Sequence, residues 1–369
     1  MQTVNIQHVQ VTIASTQSSG TATLDGTGTL GKMVVFGTWT LPKKPSITAD
    51  KAFVDLVVTD VDTLTASRIG SASGEVITVE AYVIEFGTDT NVYKGTFSMT
   101  GPDTGPQTAT WNVNGGSTMT ENDLTMAYCW LYYTHDSTSG SNDWQPASSA
   151  LRHRFDSTTQ IAATRGQSVG AISGHWYAVE STTLSVQHGS WAYSEANVLT
   201  HDATITEVTL ANSFIMGSYQ TNDSLWHSTG NWASHLPGTT TTTTARLERH
   251  EAWTDGREGN FQVVEDSALT VQRGIFTYTG TGAFATLTSV DLDVAVPLSG
   301  GVPGYPGRPG EDSSAGHADE YSHRMWLSSA TALDVAATTA GTNRIVPWEV
   351  VEFDKEAGGA TPRRVMVIT

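Results

Sequence analysis

A short strand-like string recurs four times along the chain of 369 residues. It reads V-Y-K-G at position 92, V-Q-H-G at 186 and V-Q-R-G at 271, and a more divergent copy, I-Q-H-V, stands at 6. The starting positions are therefore 86, 94 and 85 residues apart. Because self-similarity at a near-constant spacing marks a duplicated supersecondary unit, the chain is expected to fold as a series of similar units.

The same landmarks follow each copy of this string. A Thr/Ala motif comes first and begins at positions 21, 108, 203 and 285. A hydrophobic strand and a variable connection come next, and then a further strand that we place at F-V-D-L-V-V from 53, L-R-H-R-F from 151, A-R-L-E-R-H from 245 and H-R-M-W-L from 323. Each unit ends on an apolar strand whose last residue is a glutamate: Glu85, Glu180, Glu265 and Glu352. One glutamate per unit indicates a repeated structural role near each junction rather than a set of catalytic carboxylates.

These landmarks predict four units and a tail. The boundaries are residues 1–87, 88–181, 182–266 and 267–353 for units 1 to 4, and 354–369 for the C-terminal tail. Each unit has at least five closely spaced strand patterns and no helical periodicity, which is typical of an antiparallel β-sandwich of immunoglobulin-like size. The predicted fold is therefore all-β, with four tandem antiparallel β-sandwich repeats. Because the links between units are only a few residues long, we expect the units to stack as a stiff rod or arc.

A glycine stands at the same place in the first strand of three units, as Gly95, Gly189 and Gly274. Glycine weakens a strand interior, and where it recurs it usually marks a bulge or a close approach of another backbone. We therefore expect a bulged first strand at the edge of the sheet, where a bulge discourages edge-to-edge aggregation.

Charge and cysteine content exclude several classes of protein. The chain has 37 acidic and 19 basic residues and a formal net charge of −18, which argues against a nucleic-acid partner because phosphate contacts require a basic surface. Cys129 is the only cysteine, so no disulfide can form within the chain. The N-terminus shows no signal-peptide pattern, and no apolar run approaches the roughly 20 residues that span a bilayer. We therefore expect a protein without membrane insertion.

The connection before the fourth strand differs most between units, and binding residues tend to lie on such loops. In units 2 and 3 it combines tryptophans with amide, carboxylate and imidazole side chains: Asn142, Asp143, Trp144, Trp226, His227, Asn231, Trp232 and His235. Aromatic rings beside polar groups bind sugars by stacking on their apolar faces, and they also pack at subunit interfaces. The sequence leaves both interpretations open for these partner or glycan contacts.

Two further segments are candidate assembly elements. The fourth connection contains G-V-P-G-Y-P-G-R-P-G, with Tyr305 and Arg308, which is either a polyproline-like surface loop or a hint of threefold, collagen-like association. The tail contains Arg363 and Arg364 followed by a strand pattern that includes Val365 and Val367. This last strand is expected either to fold back on unit 4 or to add to the open edge of a neighbouring molecule.

The search for catalytic chemistry is negative. The string G-Q-S-V-G at 166–170 matches a nucleophile elbow, but that motif requires a strand-to-helix turn, and the equivalent positions of the other units predict a hairpin turn. The histidines of unit 3 match no zinc spacing: His188, His201, His227, His235 and His250. We find no phosphate-binding or dinucleotide motif and predict a non-enzymatic protein without cofactor or metal.

Short strings in all four units resemble β-sandwich repeats of tailed-bacteriophage virion proteins. They include V-Q-R-G at 271–274, A-T-I-T at 203–206, A-R-L at 245–247 and V-V-E-F at 350–353. The resemblance implies a structural protein of the virion, assembled in the host cytoplasm and associated with a tail fibre or baseplate. Its implied partners are other virion proteins, further copies of itself, a trimer among the expected assemblies, and a host-surface glycan or protein.

Two alternatives remain beside the tail-associated role. One is a capsid decoration protein that stabilises the head. The other is a bacterial glycan-binding surface protein, against which the missing signal peptide speaks.

Overall fold

The computed structural model describes residues 1–40, 53–69, 76–100, 107–136, 150–166, 170–193, 200–221, 233–248, 257–299 and 323–355. Within these ranges the protein is all-β, as predicted, and its only helical elements are four single 3-10 turns. We number the strands along the chain and keep the names units 1 to 4 for the predicted stretches.

Unit 1 forms two antiparallel sheets of three strands each. Its strands are β1 (Gln2–Ile13), β2 (Ser19–Thr23), β3 (Met33–Thr40), β4 (Asp55–Asp60), β5 (Thr63–Ser67) and β6 (Ile77–Phe86). The first sheet has the order β1-β6-β3 and the second sheet the order β2-β5-β4. Inward positions alternate along β5, where Leu64 and Ala66 are buried between half-buried neighbours, as expected for a strand covering one face of a core.

The same pairing scheme recurs in unit 2 and unit 3. Unit 2 contains β7 (Thr90–Met99), β8 (Gln107–Asn112), β9 (Ala127–Asp136), β10 (Arg152–Ser157), β11 (Gln160–Arg165) and β12 (Ala171–Ser181). Unit 3 contains β13 (Ser185–Tyr193), β14 (Thr200–Thr209), β15 (Ser213–Thr221), β16 (Ala233–His235), β17 (Thr241–Glu248) and β18 (Arg257–Glu265). The first sheets are β7-β12-β9 and β13-β18-β15, and the second sheets are β8-β11-β10 and β14-β17-β16.

In unit 4 the two sheets are joined by long strands. Its strands are β19 (Thr270–Thr286), β20 (Ala295–Ser299), β21 (Arg324–Ser329) and β22 (Ala332–Glu352). β19 and β22 pair through both halves, from Val271 opposite Val351 to Ala285 opposite Leu333, with register shifts around Gly280. The first and second strands, which are separate in the other units, are therefore one continuous strand in unit 4, β19. The fifth and sixth strands are likewise continuous, as β22, so that this pair of strands takes part in both sheets.

One strand of unit 3 was assigned wrongly from the sequence. A-R-L-E-R-H from 245 was expected to be the fourth strand, but residues 245–248 form the end of β17, which pairs with β14 and takes the place of the fifth strand. The fourth strand is β16, which lies within the predicted variable connection and pairs with β17. The reason is the run of threonines: β-branched residues favour an extended backbone, so the run itself forms the start of β17 instead of a loop.

The repeated glycine does not mark a bulge. Pairing continues without a register shift through Gly95, opposite Trp176, and through Gly189, opposite Phe261. A Cβ atom added at Gly95 would lie 2.7 Å from the Trp176 indole, because the ring of the cross-strand residue covers the glycine. Trp348 covers Gly274 in the same way. The prediction of a bulge was wrong, although the first strands β7, β13 and β19 do lie at sheet edges.

The closing glutamates have the repeated structural role that the sequence predicted. Each carboxylate accepts a hydrogen bond from a backbone N–H in the segment that leads into the third strand of its own unit. The donors are Thr29 for Glu85, Thr120 and Glu121 for Glu180, Thr209 for Glu265, and Asp291 for Glu352. The glutamate thus fastens the end of the sandwich that carries the linker to the next unit.

The units do not form a rod, because unit 1 contacts unit 4 directly. A short strand after unit 4, β23 (Asp354–Lys355), pairs in parallel with β1. The Tyr82 hydroxyl accepts a hydrogen bond of 2.8 Å from the Leu327 N–H, and the Arg324 guanidinium lies 2.8 Å from the Glu80 carboxylate. Each unit therefore has two neighbours, and the contacts close into a cycle.

The hydrophobic core continues from one unit to the next. Phe36 of unit 1 stacks on Trp130 of unit 2 with ring centroids 4.4 Å apart, and Tyr128 of unit 2 meets Phe214 of unit 3 edge-on at 5.7 Å. One buried cluster extends from unit 1 into part of unit 4, and a second cluster fills the rest of unit 4. The short linkers predicted that neighbouring units would be held close together, but they did not predict that the units would share a continuous hydrophobic core.

The linkers converge at one end of the assembly of units. The ammonium group of Met1 forms an ion pair with Asp266, between units 3 and 4, and a 2.6 Å hydrogen bond with Thr183, between units 2 and 3. Asp89, between units 1 and 2, lies 3.9 Å from the same ammonium group. Three inter-unit links therefore lie close together around Met1.

Candidate binding surface

Two positions on the closing strand (β6, β12, β18 and the end of β22) contact the preceding unit, the first in all four units and the second in units 1 to 3. The first stands three residues before the closing glutamate and is occupied by Tyr82, Tyr177, Gln262 and Glu349. The four side chains bond backbone groups of the preceding unit, with unit 1 reaching unit 4. Their partners are Leu327 N–H for Tyr82, Leu56 C=O for Tyr177, both backbone groups of Cys129 for Gln262, and Ile215 N–H for Glu349.

The second position stands five residues before the closing glutamate and clamps the fourth strand of the preceding unit. Glu80 of unit 1 lies against Arg324 of unit 4, and the Asn260 amide of unit 3 donates to the His153 carbonyl oxygen of unit 2 at 3.2 Å. The equivalent residue of unit 2 is His175, whose Nδ1 lies 2.7 Å from the Asp55 carboxylate. Burial raises the pKa of Asp55, although its hydrogen bonds and charge interaction with His175 oppose that shift.

All four variable connections leave the units at the same end. In unit 1, the linker end of the first sheet is where Thr3 pairs with Phe86, and the opposite end is where Thr40 pairs with Thr78. The third strand ends there, and we call it the distal end. By the same topology, the connections between β9 and β10, β15 and β16, and β20 and β21 also begin and end at the distal ends of their units.

Neighbouring units point in the same direction. Near the linker end, Lys94 of unit 2 donates to the Leu30 carbonyl oxygen of unit 1 at 2.7 Å, and Arg273 of unit 4 donates to the Leu210 carbonyl oxygen of unit 3 at 2.6 Å. Nearer the distal end are the contacts made by His175 and Asn260. The distal ends therefore share one face of the protein, and inter-unit contacts anchor the strands at the base of each connection.

Most of the predicted contact residues lie outside the described ranges. These are Asn142, Asp143, Trp144, Trp226, His227, Asn231, Trp232, Tyr305, Arg308, Arg363, Arg364, Val365 and Val367. Their proposed contacts with glycans, partners or neighbouring copies stay predictions.

His235 is the one predicted contact residue within the described ranges. It lies in β16 with its Nε2 atom 3.7 Å from the Glu248 carboxylate, and 16% of its side chain is exposed. Burial, together with the positive charge of Arg246, lowers the pKa of His235 to about 4. The imidazole is therefore neutral near pH 7, and it stands at the base of the third connection rather than projecting from it.

The nucleophile-like candidates have structural surroundings. The thiol of Cys129 is fully buried, and burial raises its pKa well above its ordinary value, so it does not ionise near neutral pH. The G-Q-S-V-G string connects β11 of the second sheet to β12 of the first, which corrects the expected hairpin, and residues 167–169 lie outside the described ranges. Strands flank the string on both sides, where a nucleophile elbow requires a helix after it.

Across the described ranges, no three histidine, cysteine or acidic side chains are grouped as a metal site. In the same ranges no helix is long and apolar enough to cross a membrane. No protein-family model matches this chain, and no curated protein matches it.

The inter-unit positions were missed by the sequence analysis. A signal for them existed, since Gln262 and Glu349 are polar residues within otherwise apolar closing strands. Because the other two units have a tyrosine at this position, the pattern has no constant residue type and was interpreted as ordinary core.

Proposed function

We propose that the protein is a non-enzymatic structural component of a tailed-bacteriophage virion. It is associated with the tail, in a fibre or baseplate, and contributes to assembly or to adhesion at the host surface. Its partners are other virion proteins and further copies of itself. The proposal starts from the resemblance of its repeated strings to virion β-sandwich repeats and takes support from the arrangement of the four units.

The observation that carries this proposal is the shared distal face. Four connections of different sequence each begin or end at a strand that is bonded by one of Tyr82, Tyr177, Gln262 and Glu349 of the next unit. A rigid scaffold with variable loops at one face is the usual design of a recognition protein. The buried polar side chains at the unit interfaces bond backbone groups of the neighbouring unit. This structural role explains their presence, so they need no catalytic role.

Immunogold labelling of intact particles tests the proposal. An antibody raised against the purified protein should label the tail of particles from the source lysate. Absence of label on every particle would contradict a virion role. Sedimentation of the purified protein with tail-less particles, as a control, should leave it in the supernatant if its binding partner is in the tail.

A capsid decoration protein is the second candidate, and the closed cycle of units favours it. A compact block with unit 1 against unit 4 suits a protein that covers a capsid surface better than one that extends from a tail. Here the gold label should spread over the head. The purified protein should also rebind to heads from which surface proteins have been stripped, and failure to rebind would remove this candidate.

A further inference from the structure

Unit 2 contains an open groove of about 540 Å³ beside the edge strands of its two sheets. The residues that matter for the argument are Tyr93, Lys94 and Gly95 on β7, Trp111 and Asn112 on β8, and Trp176 on β12. Three aromatic rings, an ammonium group and a side-chain amide thus line one depression. Its volume falls within the range of roughly 300–1,000 Å³ that is typical of ligand sites.

The repeated glycine Gly95 and its cross-strand partner Trp176 both line the groove. The Trp176 indole covers Gly95, where any Cβ would come within 2.7 Å of the ring. A side chain at position 95 would fill the depression as well as displace the indole. Within the described ranges, the indole N–H of Trp176 donates no hydrogen bond, so a donor remains for a ligand.

Comparison between units shows that Tyr93 is a replacement peculiar to unit 2. Units 1, 3 and 4 have a glutamine at this position: Gln7, Gln187 and Gln272. Each of these glutamines forms a pair of hydrogen bonds with a residue late in the second strand or just after it: Asp25, Thr206 and Thr288 respectively. A glutamine therefore suffices for the structural role.

Tyr93 also makes a pair of hydrogen bonds within its own unit, and it adds an aromatic ring. Its hydroxyl accepts from the Thr120 N–H at 2.9 Å and donates to the Glu180 carboxylate at 2.8 Å. The hydroxyl thus fastens the segment before the third strand at the point that the closing glutamate also reaches, while the half-buried ring lines the groove.

Trp111 is a second aromatic replacement at the same groove. Trp111 pairs with Ile161, the second residue of the fifth strand of unit 2. The residues at the equivalent position are Ala22 in unit 1, which pairs with Leu64, and Ala285 in unit 4, which pairs with Leu333. The indole of Trp111 packs on Phe97, with ring centroids 4.9 Å apart, and remains half-buried. Since alanine serves the sandwich in two other units, the fold does not require the large ring here.

The polar groups around the rings complete a sugar-binding chemistry. Asn112 is exposed, and its neighbour Asn114 also lines the groove. Lys94 donates one hydrogen bond to the Leu30 carbonyl oxygen, which leaves two ammonium hydrogens for other acceptors. Aromatic faces stack on the apolar faces of pyranose rings, while amide and ammonium groups bond the hydroxyls.

We propose that this groove binds a pyranose residue of a neutral glycan. Neutral glycans are favoured over polyanionic ones because the chain has a formal net charge of −18, which repels an acidic polymer. The inference rests on the adhesive part of the proposed function and names its ligand class and its site, which differs from the variable connections.

Binding is tested on the full chain with an array of neutral oligosaccharides built from glucose, galactose, mannose and N-acetylglucosamine. Sugars that bind should then change the tryptophan fluorescence of the protein in a saturable titration. Trp111→Ala, which introduces the residue found in units 1 and 4, should weaken that binding at least about tenfold. Asn112→Ala changes an exposed side chain and should weaken it by a smaller factor.

Phe284→Ala is the matched control, because Phe284 is an aromatic residue of unit 4 that is 71% exposed and lies outside the groove. This variant should bind as the unchanged protein does. A blank array overturns the proposal, and so does sugar binding that is unaffected by Trp111→Ala. If particles carry gold label but the array is blank, the virion role stands and the proposed sugar site in the groove is wrong. If the protein binds sugars but no particle carries label, the sugar site stands and the virion role is wrong.

Discussion

The side-chain amide of Gln262 in unit 3 bonds both backbone groups of Cys129 in unit 2. Its Nε2 donates to the Cys129 carbonyl oxygen at 2.7 Å, and its Oε1 accepts from the Cys129 N–H at 2.8 Å. β9 is an edge strand of its sheet, so these backbone groups have no partner from another strand on that side. The Gln262 side chain therefore forms, at the edge of the unit 2 sheet, the two hydrogen bonds that the backbone of a neighbouring strand would otherwise form.

Replacement of Gln262 by alanine should be strongly destabilising. The Cys129 N–H and C=O would both lose the hydrogen bonds of the Gln262 amide in a buried setting, where a group left unpaired costs about 1–3 kcal/mol. We expect the free energy of unfolding to fall by roughly 2–5 kcal/mol in urea titrations.

Gln187→Ala provides the matched control. Gln187 makes a similar pair of hydrogen bonds with Thr206, but at an exposed site where water can replace the glutamine. Its loss should cost on the order of 1 kcal/mol or less. Equal losses for the two variants would mean that the Cys129 contact does not hold the units together.

Gly95→Ala should destabilise the protein even though the backbone conformation tolerates alanine. The new Cβ would lie 2.7 Å from the Trp176 ring, so the indole must move, at a cost of about 1–3 kcal/mol. Gly31→Ala is the control, because a Cβ there meets no atom within 4 Å. Thermal unfolding of both variants measures the difference, and a Gly95→Ala protein as stable as Gly31→Ala would disprove the steric role of the ring.

Unit 1 shows how the same position is filled when the aromatic ring is absent. Val9 stands where the other units have glycine, and it pairs with Ala81 rather than with an aromatic residue. The pair Gly95→Val and Trp176→Ala should therefore be less destabilising together than the sum of the two single changes. A double-mutant cycle in urea gives this coupling directly, and additive effects would argue against a swap of volume across the two strands.

The strands themselves were largely predictable from the sequence, but their neighbours across units were not. The hydrophobic runs that became β3, β9 and β15 stand out by composition, and residues two apart share a sheet face, so local pattern is enough to place them. In unit 3 the threonines that begin β17 have the composition of a loop and the backbone preference of a strand. Local pattern alone could not decide between the two, and the fourth strand was misplaced.

The closure of the cycle lay beyond any local signal. Arg324 and Glu80 are separated by 244 residues, and nothing in their surroundings marks one as the partner of the other. The groove of unit 2 is different, because aligning the four units would have shown Tyr93 against three glutamines. Repeat alignment can therefore find a departure, whereas only the fold shows that Trp111 and Trp176 stand beside it.

Acid should weaken the contact between units 2 and 3 through His153. This imidazole is buried, and burial lowers its pKa from 6.5 to about 4, while a hydrogen bond that the imidazole donates to the Cys129 backbone opposes that shift. The unfolded chain takes up a proton near pH 6.5 and the folded protein only near pH 4, so falling pH favours unfolding between those values. The stability present above pH 6.5 should decline by about 3 kcal/mol across this window.

His153→Met tests that assignment, because Met325 occupies the equivalent position in unit 4. Urea titrations between pH 7 and pH 4 should show a shallower loss of stability for the variant than for the unchanged protein. His235 contributes with the same sign, since its pKa is also lowered to about 4, so part of the dependence should remain. An unchanged pH profile for His153→Met would show that His153 does not titrate in this way.

The closed arrangement of units predicts a compact particle in solution. A globular chain of this length has a radius of gyration of about 21 Å, whereas four sandwiches in a row would give a markedly larger value. The seam depends on the Tyr82 hydroxyl, which accepts the Leu327 N–H, and on the Arg324 ion pair with Glu80. Small-angle X-ray scattering on the monomer fraction should therefore give a value near that of a globular chain. The double variant Tyr82→Phe with Arg324→Ala should have a larger radius of gyration or a lower melting temperature than the unchanged protein. An elongated scattering profile for the unchanged protein would contradict contact between the first and fourth units, and with it the shared distal face.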